Sequence, residues 1–269
     1  MALHLLPPQI LIFSFFFGIC VGSFLNVVIA RVPEGKSIVH PGSHCPACKA
    51  NIPFYLNIPI LSYIILKGKC SSCRKTIAIR YPLVEFITGI LAAGACLKYG
   101  PGLPGLFIFA FGATLIAISF IDIDHQIIPD VISLPGILVF LSAPFFLPEM
   151  TLIRSISGVL IGGGILYSVA LVYYLLKGQH GMGGGDIKLL AMIGAAIGPK
   201  GVLFTLFAGS VLGTLIGGAV ILNKKSPEGS PKRQIKLPFG PFLSMGAIVY
   251  IFWGEQLMQW YARILNGGL

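Results

Sequence analysis

Residues 9–31 read QILIFSFFFGICVGSFLNVVIAR, and no charged side chain appears until Arg31. A helix that crosses hydrocarbon needs about 20 consecutive apolar residues. This run supplies them, with its first base placed where the apolar stretch ends. A segment apolar on every side has no polar face to offer water, so it reads as a span rather than a surface helix. A secretory leader carries its basic residues ahead of the apolar run. Here the order is reversed, so the segment is expected to persist as a transmembrane helix.

Runs of similar length recur along the chain, at about 81–99, 103–121, 131–148, 155–175, 187–199, 202–222 and 240–262. The sixth, IKLLAMIGAAIG, is short and contains glycine. Of the 269 residues, 55% are hydrophobic and 10% charged, where a soluble domain carries about 25% charged residues; the mean hydropathy is +0.89. Together these predict an all-α polytopic membrane protein of about eight transmembrane helices. Its expected divisions are a first transmembrane helix (1–30), a small cytoplasmic insert (31–80) and a transmembrane catalytic domain (81–269).

Charge orients the spans. With the N-terminus outside, eight crossings put the basic residues of 31–80 and of 223–236 (Lys224, Lys225, Lys232, Arg233 and Lys236) on the cytoplasmic side, with Lys177 and Lys188. Lys98, Arg154, Lys200 and Arg263 remain outside. That asymmetry follows the positive-inside rule. The net charge of +10 is therefore read as topology and as contact with anionic membrane lipids, not as nucleic-acid binding.

The insert carries CPAC (Cys45, Cys48) and CSSC (Cys70, Cys73). Two such knuckles can present four sulfurs to one tetrahedral ion, the arrangement of structural zinc sites. Fifty residues bury too little apolar surface to fold unaided, so a metal would largely decide whether the insert folds. Paired disulfides are the competing reading, and the reducing cytoplasm argues against them. His40 and His44 read as surface residues beside a cysteine set that is already complete. Cys20 and Cys96 read as small packing residues buried within spans.

Of nine acidic residues, four aspartates fall at span ends on the predicted cytoplasmic side. Asp122, Asp124 and Asp130 lie in IDIDHQIIPD (121–130), and Asp186 closes GMGGGD (181–186). Ionisable groups beside spans are functional candidates. Asp130, after Pro129, reads as the N-cap of the fourth span, and Asp124 with His125 as a solvated turn. The glycines before Asp186 permit positive φ and close backbone approach, which a helix cap alone does not require. Two carboxylates held together share a proton: one can draw a proton from water while the other polarises a peptide carbonyl. A transporter's proton relay would use the same pair.

Several stretches together resemble the type IV prepilin peptidases, bifunctional leader peptidase/N-methyltransferases among the GxGD aspartyl proteases. They are GSFLNVVIARVP (22–33), CPAC…CSSC, NIPILSY (57–63), RYPLVE (80–85), DIDHQIIPD (122–130), GMGGGDIKLLA (181–191) and PFGPFLSMGA (238–247). The resemblance implies that Asp122 and Asp186 are the catalytic pair, a choice between Asp122 and Asp124 that the residues alone leave open. It implies cleavage of the leader of prepilins or pseudopilins after a glycine, at the cytoplasmic face of a bacterial inner membrane. It further implies N-methylation of the new N-terminus, commonly a phenylalanine, by S-adenosylmethionine, with structural Zn2+ on Cys45, Cys48, Cys70 and Cys73. Leu56 and His180 depart from the family's usual pattern. No residue is assigned to the methyl donor; Asn26, Arg31 and Glu85 are polar candidates, and Glu85 could equally pair with Arg80. Nothing in the sequence addresses oligomeric state.

Two other classes remain for comparison. A proton-coupled transporter predicts broken helices in corresponding halves and an internal repeat, neither of which is visible, and leaves the cysteines unexplained. A non-catalytic zinc-bearing assembly subunit explains the cysteines but not the glycine-flanked carboxylates.

Overall fold

A computed structural model of the protein describes residues 6–179, 183–223 and 238–265. His180, the first two residues of GMGGGD and the basic cluster Lys224–Lys236 lie outside the described residues. The helices, in chain order, are α1 (Pro8–Arg31), α2 (Leu61–Ile65), α3 (Arg80–Tyr99), α4 (Leu103–His125), α5 (Asp130–Phe140), α6 (Ala143–Phe146), α7 (Leu152–Lys177), α8 (Gly184–Asn223) and α9 (Gly240–Leu265), with a 3-10 turn at Phe54–Leu56. Among the described residues there is no strand beyond two isolated antiparallel bridges, His44 with Asn51 and Lys69 with Thr76.

Five helical segments are long and apolar enough to cross a membrane: Pro8–Arg31, Arg80–Tyr99, Leu103–His125, Leu152–Lys177 and Gly184–Ala219. The protein is an all-α polytopic membrane protein. Each expected span coincides with helix, but three differ in form. The fourth is divided into α5 and α6, and α5, at about 1.5 Å per residue, is too short to cross alone. The sixth and seventh are the two halves of α8, joined at Gly198 (φ 71, ψ −177) ahead of Pro199. Positive φ is open to glycine, and proline has no N–H to continue the ladder. A Cβ built on Gly194 would stand 3.0 Å from Val202. Eight residues of straight helix span about 12 Å, so the chain folds back at this break.

The chain forms two compact units, residues 1–117 and 118–269. In the first, α1 and α3 pack antiparallel along a seam of small residues. A Cβ on Gly18 would come within 2.6 Å of Ala92, and one on Gly22 within 2.6 Å of the Glu85 backbone. Gly89 faces Ile19 and Phe15 in return. Between apolar helices, lipid is as good a solvent as leucine, so close backbone approach and dispersion supply the association. Phe109 of α4 packs against Phe17 at a tilt of 57°, with ring centroids 5.6 Å apart.

The second unit uses the same device. Gly158 of α7 and Gly194 of α8 meet backbone to backbone, and Gly162 lies against the Leu190 carbonyl. Gly246 of α9 packs on the Thr205 carbonyl of α8, and Gly136 of α5 on Met192. The outward faces stay apolar, with Leu160, Leu175 and Leu176 of α7 exposed, as lipid-facing positions require. Cys96 is buried as expected, whereas Cys20 is exposed on the outer face of α1. The seam of α1 is taken by Gly18 and Gly22, and Cys20, two residues from each, points elsewhere.

Candidate active site and metal centre

Helix α4 runs to His125, four residues beyond the expected end of the third span, so Asp122 is helical. Gln126 (φ 55) ends the helix, and its N–H donates to the Asp122 carbonyl at 2.9 Å. The Asp122 side chain is 5% exposed. Its Oδ2 accepts the backbone N–H of Gly240 at 2.9 Å. Gly240 is the first residue of α9, where helix N–H groups lack intrahelical acceptors and favour an anion. A Cβ at this position would stand 2.7 Å from Oδ2.

Asp186 lies in the first turn of α8 and is half-buried. It is within electrostatic reach of Asp122. Ile128, itself buried, joins their surroundings: Cβ atoms built on Gly185 and Gly240 would stand 2.9 and 3.4 Å from its side chain. Of the glycine run, Gly183 and Gly184 are exposed with open space about them. Neither they nor Gly185 has positive φ, and the nearest neighbour of Gly185 is the Ile128 side chain rather than another backbone.

The remaining acidic candidates stand apart from this pair. Asp130 is the first residue of α5, with Pro129 as its N-cap and no side-chain cap bond. Its carboxylate takes the Lys188 ammonium at 2.6 and 2.7 Å, so the expected capping role is replaced by an ion pair between α5 and α8. Asp124 and His125 are exposed on the last turn of α4 rather than in a loop. Sequence reasoning missed Gly240 and Ile128. The signal available was a glycine opening an apolar helix within PFGPF.

In the insert, the two knuckles share one construction. Cys45 N–H donates to the Ala50 carbonyl and Lys49 N–H to the Cys45 carbonyl; Cys70 with Lys75, and Arg74 with Cys70, repeat the pattern. Lys49 (φ 59) and Arg74 (φ 60) make the same left-handed turn. The four sulfurs of Cys45, Cys48, Cys70 and Cys73 lie within 4.8 Å of one another, and Cys45 and Cys73 Sγ are 3.9 Å apart. Sulfurs about 2.3 Å from a tetrahedral zinc stand about 3.8 Å from each other, so the donor set fits such an ion. Backbone N–H groups of Cys48 and Ala47 pull the Cys45 thiol down to about 6. Those of Cys73 and Ser72 lower Cys70 in the same way. Thiolates are what a metal binds; against the Ala50 N–H, desolvation and the neighbouring cysteines push the Cys48 thiol up to about 11 until an ion binds. All four cysteines are free of disulfides. His40 is exposed and His44 half-buried, with His44 Nδ1 3.0 Å from the Gly42 carbonyl.

The three polar candidates for the methyl-donor cleft divide. Arg31 is committed to the insert, donating to the Ser37 carbonyl at 3.0 Å and the Gly42 carbonyl at 3.2 Å. Asn26 and Glu85 face the α1–α3 seam. Glu85 accepts the Ile60 N–H at 2.7 Å. Among the described residues Glu85 forms no ion pair with Arg80, whose guanidinium sits 5.6 Å from the Tyr81 ring centroid.

With this geometry in hand, comparison with known proteins is specific. The family model for the bacterial peptidase A24 N-terminal domain matches residues 16–99, and that for the type IV leader peptidase family matches residues 109–218. A prepilin leader peptidase/N-methyltransferase of Pseudomonas putida is 32% identical, covering 97% of this chain and 96% of its own. One from Aeromonas salmonicida is 33% identical over 96% of each chain. One from Pseudomonas aeruginosa is 34% identical over 96% of this chain and 95% of its own. No solved structure matches. Its two matched domains and near full-length likeness to these enzymes assign the chain to the type IV leader peptidase family.

Proposed function

We propose that this protein removes the leader of type IV prepilins or pseudopilins with Asp122 and Asp186, then N-methylates the new amino terminus from S-adenosylmethionine. The observation that carries the peptidase reading is the buried Asp122, held by the Gly240 N–H within electrostatic reach of Asp186. Two neighbouring carboxylates hold one proton between them. The ionised one takes a proton from water as the oxygen attacks the scissile carbonyl, and the protonated one donates to the carbonyl oxygen. Collapse of the tetrahedral species passes a proton to the leaving amine. The Gly240 N–H keeps Oδ2 fixed, so Oδ1 is the oxygen that would act on the attacking water. The open space beside Gly183 and Gly184 is where an extended substrate backbone would lie.

Structural zinc on Cys45, Cys48, Cys70 and Cys73 would cross-link the two knuckles and order residues 31–80, the division assigned to the insert; the peptidase belongs to 81–269. The methyltransferase half of the relatives' name supports the second activity. Sidedness follows from charge: N-terminus outside, with insert and aspartates at the cytoplasmic face of the inner membrane, among anionic headgroups.

The test is mass spectrometry of a prepilin incubated with the protein in detergent and S-adenosylmethionine. Cleavage after the leader glycine and then a gain of one methyl group are expected. An intact prepilin would refute the peptidase; transporter or scaffold chemistry yields neither change.

A further inference from the structure

The seam between α1 and α3 is built mainly of small and aliphatic residues, and at one place it buries a carboxylate and an amide. There Gly22 of α1 lies against Glu85 of α3, and Asn26, one turn along α1, against Tyr81, one turn before Glu85. Glu85 is 8% exposed and Asn26 5% exposed. The carboxylate accepts the Ile60 N–H, and among the described residues no Lys or Arg forms an ion pair with it. The Asn26 amide donates to the Tyr81 carbonyl at 3.0 Å, while its Oδ1 is buried with no donor. A buried carboxylate without a countercharge and a buried carbonyl without a donor are both costly, so the pair calls for a partner.

The segment that closes over Glu85 is itself strained. Ile60 has φ 60, ψ −50, and Leu61 N–H donates across it to the Pro59 carbonyl at 2.5 Å. This is a γ-turn of the rare hand, centred on a β-branched residue. Such strain is stored at functional sites. Its effect here is to set one N–H donor on the carboxylate, in a place that another donor could take.

We propose that Glu85 and Asn26 Oδ1 bind the α-ammonium of the cleaved substrate and that Glu85 is the base for its methylation; this rests on the methyltransferase reading above. An ammonium offers three N–H donors to these acceptors, whereas a sulfonium offers none. Two side-chain oxygens are too few for magnesium or calcium. Glu85 takes one N–H proton, leaving a neutral amine. Its lone pair attacks the sulfonium methyl of S-adenosylmethionine; the N–C bond forms as the S–CH3 bond breaks, and that electron pair stays on sulfur as a thioether. The product is a secondary ammonium, and Glu85 returns its proton to water.

The experiment uses the full-length, zinc-loaded protein in detergent, a synthetic leader-free peptide with N-terminal phenylalanine, and S-adenosylmethionine labelled in the methyl group. Glu85→Gln is expected to lower methyl transfer about 100-fold or more near neutral pH, the usual span for a lost general base, and to recover as the pH rises and the amine deprotonates in solution. Asn26→Leu is expected to raise KM for the peptide without changing KM for the donor. Zinc content and prepilin cleavage report folding. Wild-type methylation by Glu85→Gln, an activity loss without alkaline recovery, or loss of zinc or cleavage alongside it would each overturn the assignment. A wild-type protein that cleaves prepilin but methylates no peptide sinks the methyltransferase reading instead.

Discussion

The backbone N–H of Gly240 donates to Oδ2 of Asp122 at 2.9 Å, across 118 residues of chain. That bond ties the end of α4 to the start of α9 and fixes a buried carboxylate. Because a Cβ at residue 240 would come within 2.7 Å of Oδ2, the position tolerates only glycine without displacing the acid. Gly240→Ala is expected to keep the protein inserted and zinc-loaded while lowering kcat for leader cleavage about 100-fold, the scale of an ångström's misplacement at a reacting group. Cleavage at the wild-type rate would show that Asp122 does not depend on this contact.

Asp122→Asn and Asp186→Asn should each abolish leader removal, since neither amide can share or accept the catalytic proton. Methylation of a leader-free peptide should continue in both. The pair is separable in this way because the acceptor site proposed at Glu85 uses neither aspartate. Processing of prepilin by either variant, followed by electrophoresis, is the decisive measurement.

Lys188 lies two residues beyond Asp186 and grips Asp130 through both carboxylate oxygens. Both side chains are partly open to solvent, where such pairs are worth about 1 kcal/mol or less. Lys188→Met should therefore slow cleavage by less than about tenfold. A complete loss in steady-state assays would mean that the lysine touches substrate.

Cys45→Ser or Cys73→Ser removes one of four sulfurs and should empty the insert of zinc by elemental analysis, with methylation lost and cleavage less affected. Both knuckles must be intact because each supplies only half of the tetrahedron. Zinc retained at full stoichiometry would exclude the cluster as the metal site.

Much of this architecture was legible because its physics is local. Apolar runs of span length announce helices whatever packs on them, and the two knuckles are closed loops of six residues whose turn geometry repeats. Asp122 and Asp124 were different. Two residues of helix turn the chain by about 200°, so one carboxylate is buried and the other exposed, but which is which depends on the neighbours of α4. Asp130 looked like a cap by its place after Pro129, and only the arrival of Lys188 from α8 gave its charge another use. The outward turn of Cys20 followed from the seam that Gly18 and Gly22 occupy.

By itself, then, the sequence determined that the chain lives in a bilayer, where its helices lie and which four sulfurs form one cluster, since hydration and short loops depend on nearest neighbours. Tertiary structure alone decided which acid of α4 is buried, that a helix N-terminus holds it, and that Glu85 and Asn26 share a buried seam. Those contacts join residues tens to more than a hundred positions apart, and no local pattern encodes which backbone donor a distant carboxylate will find.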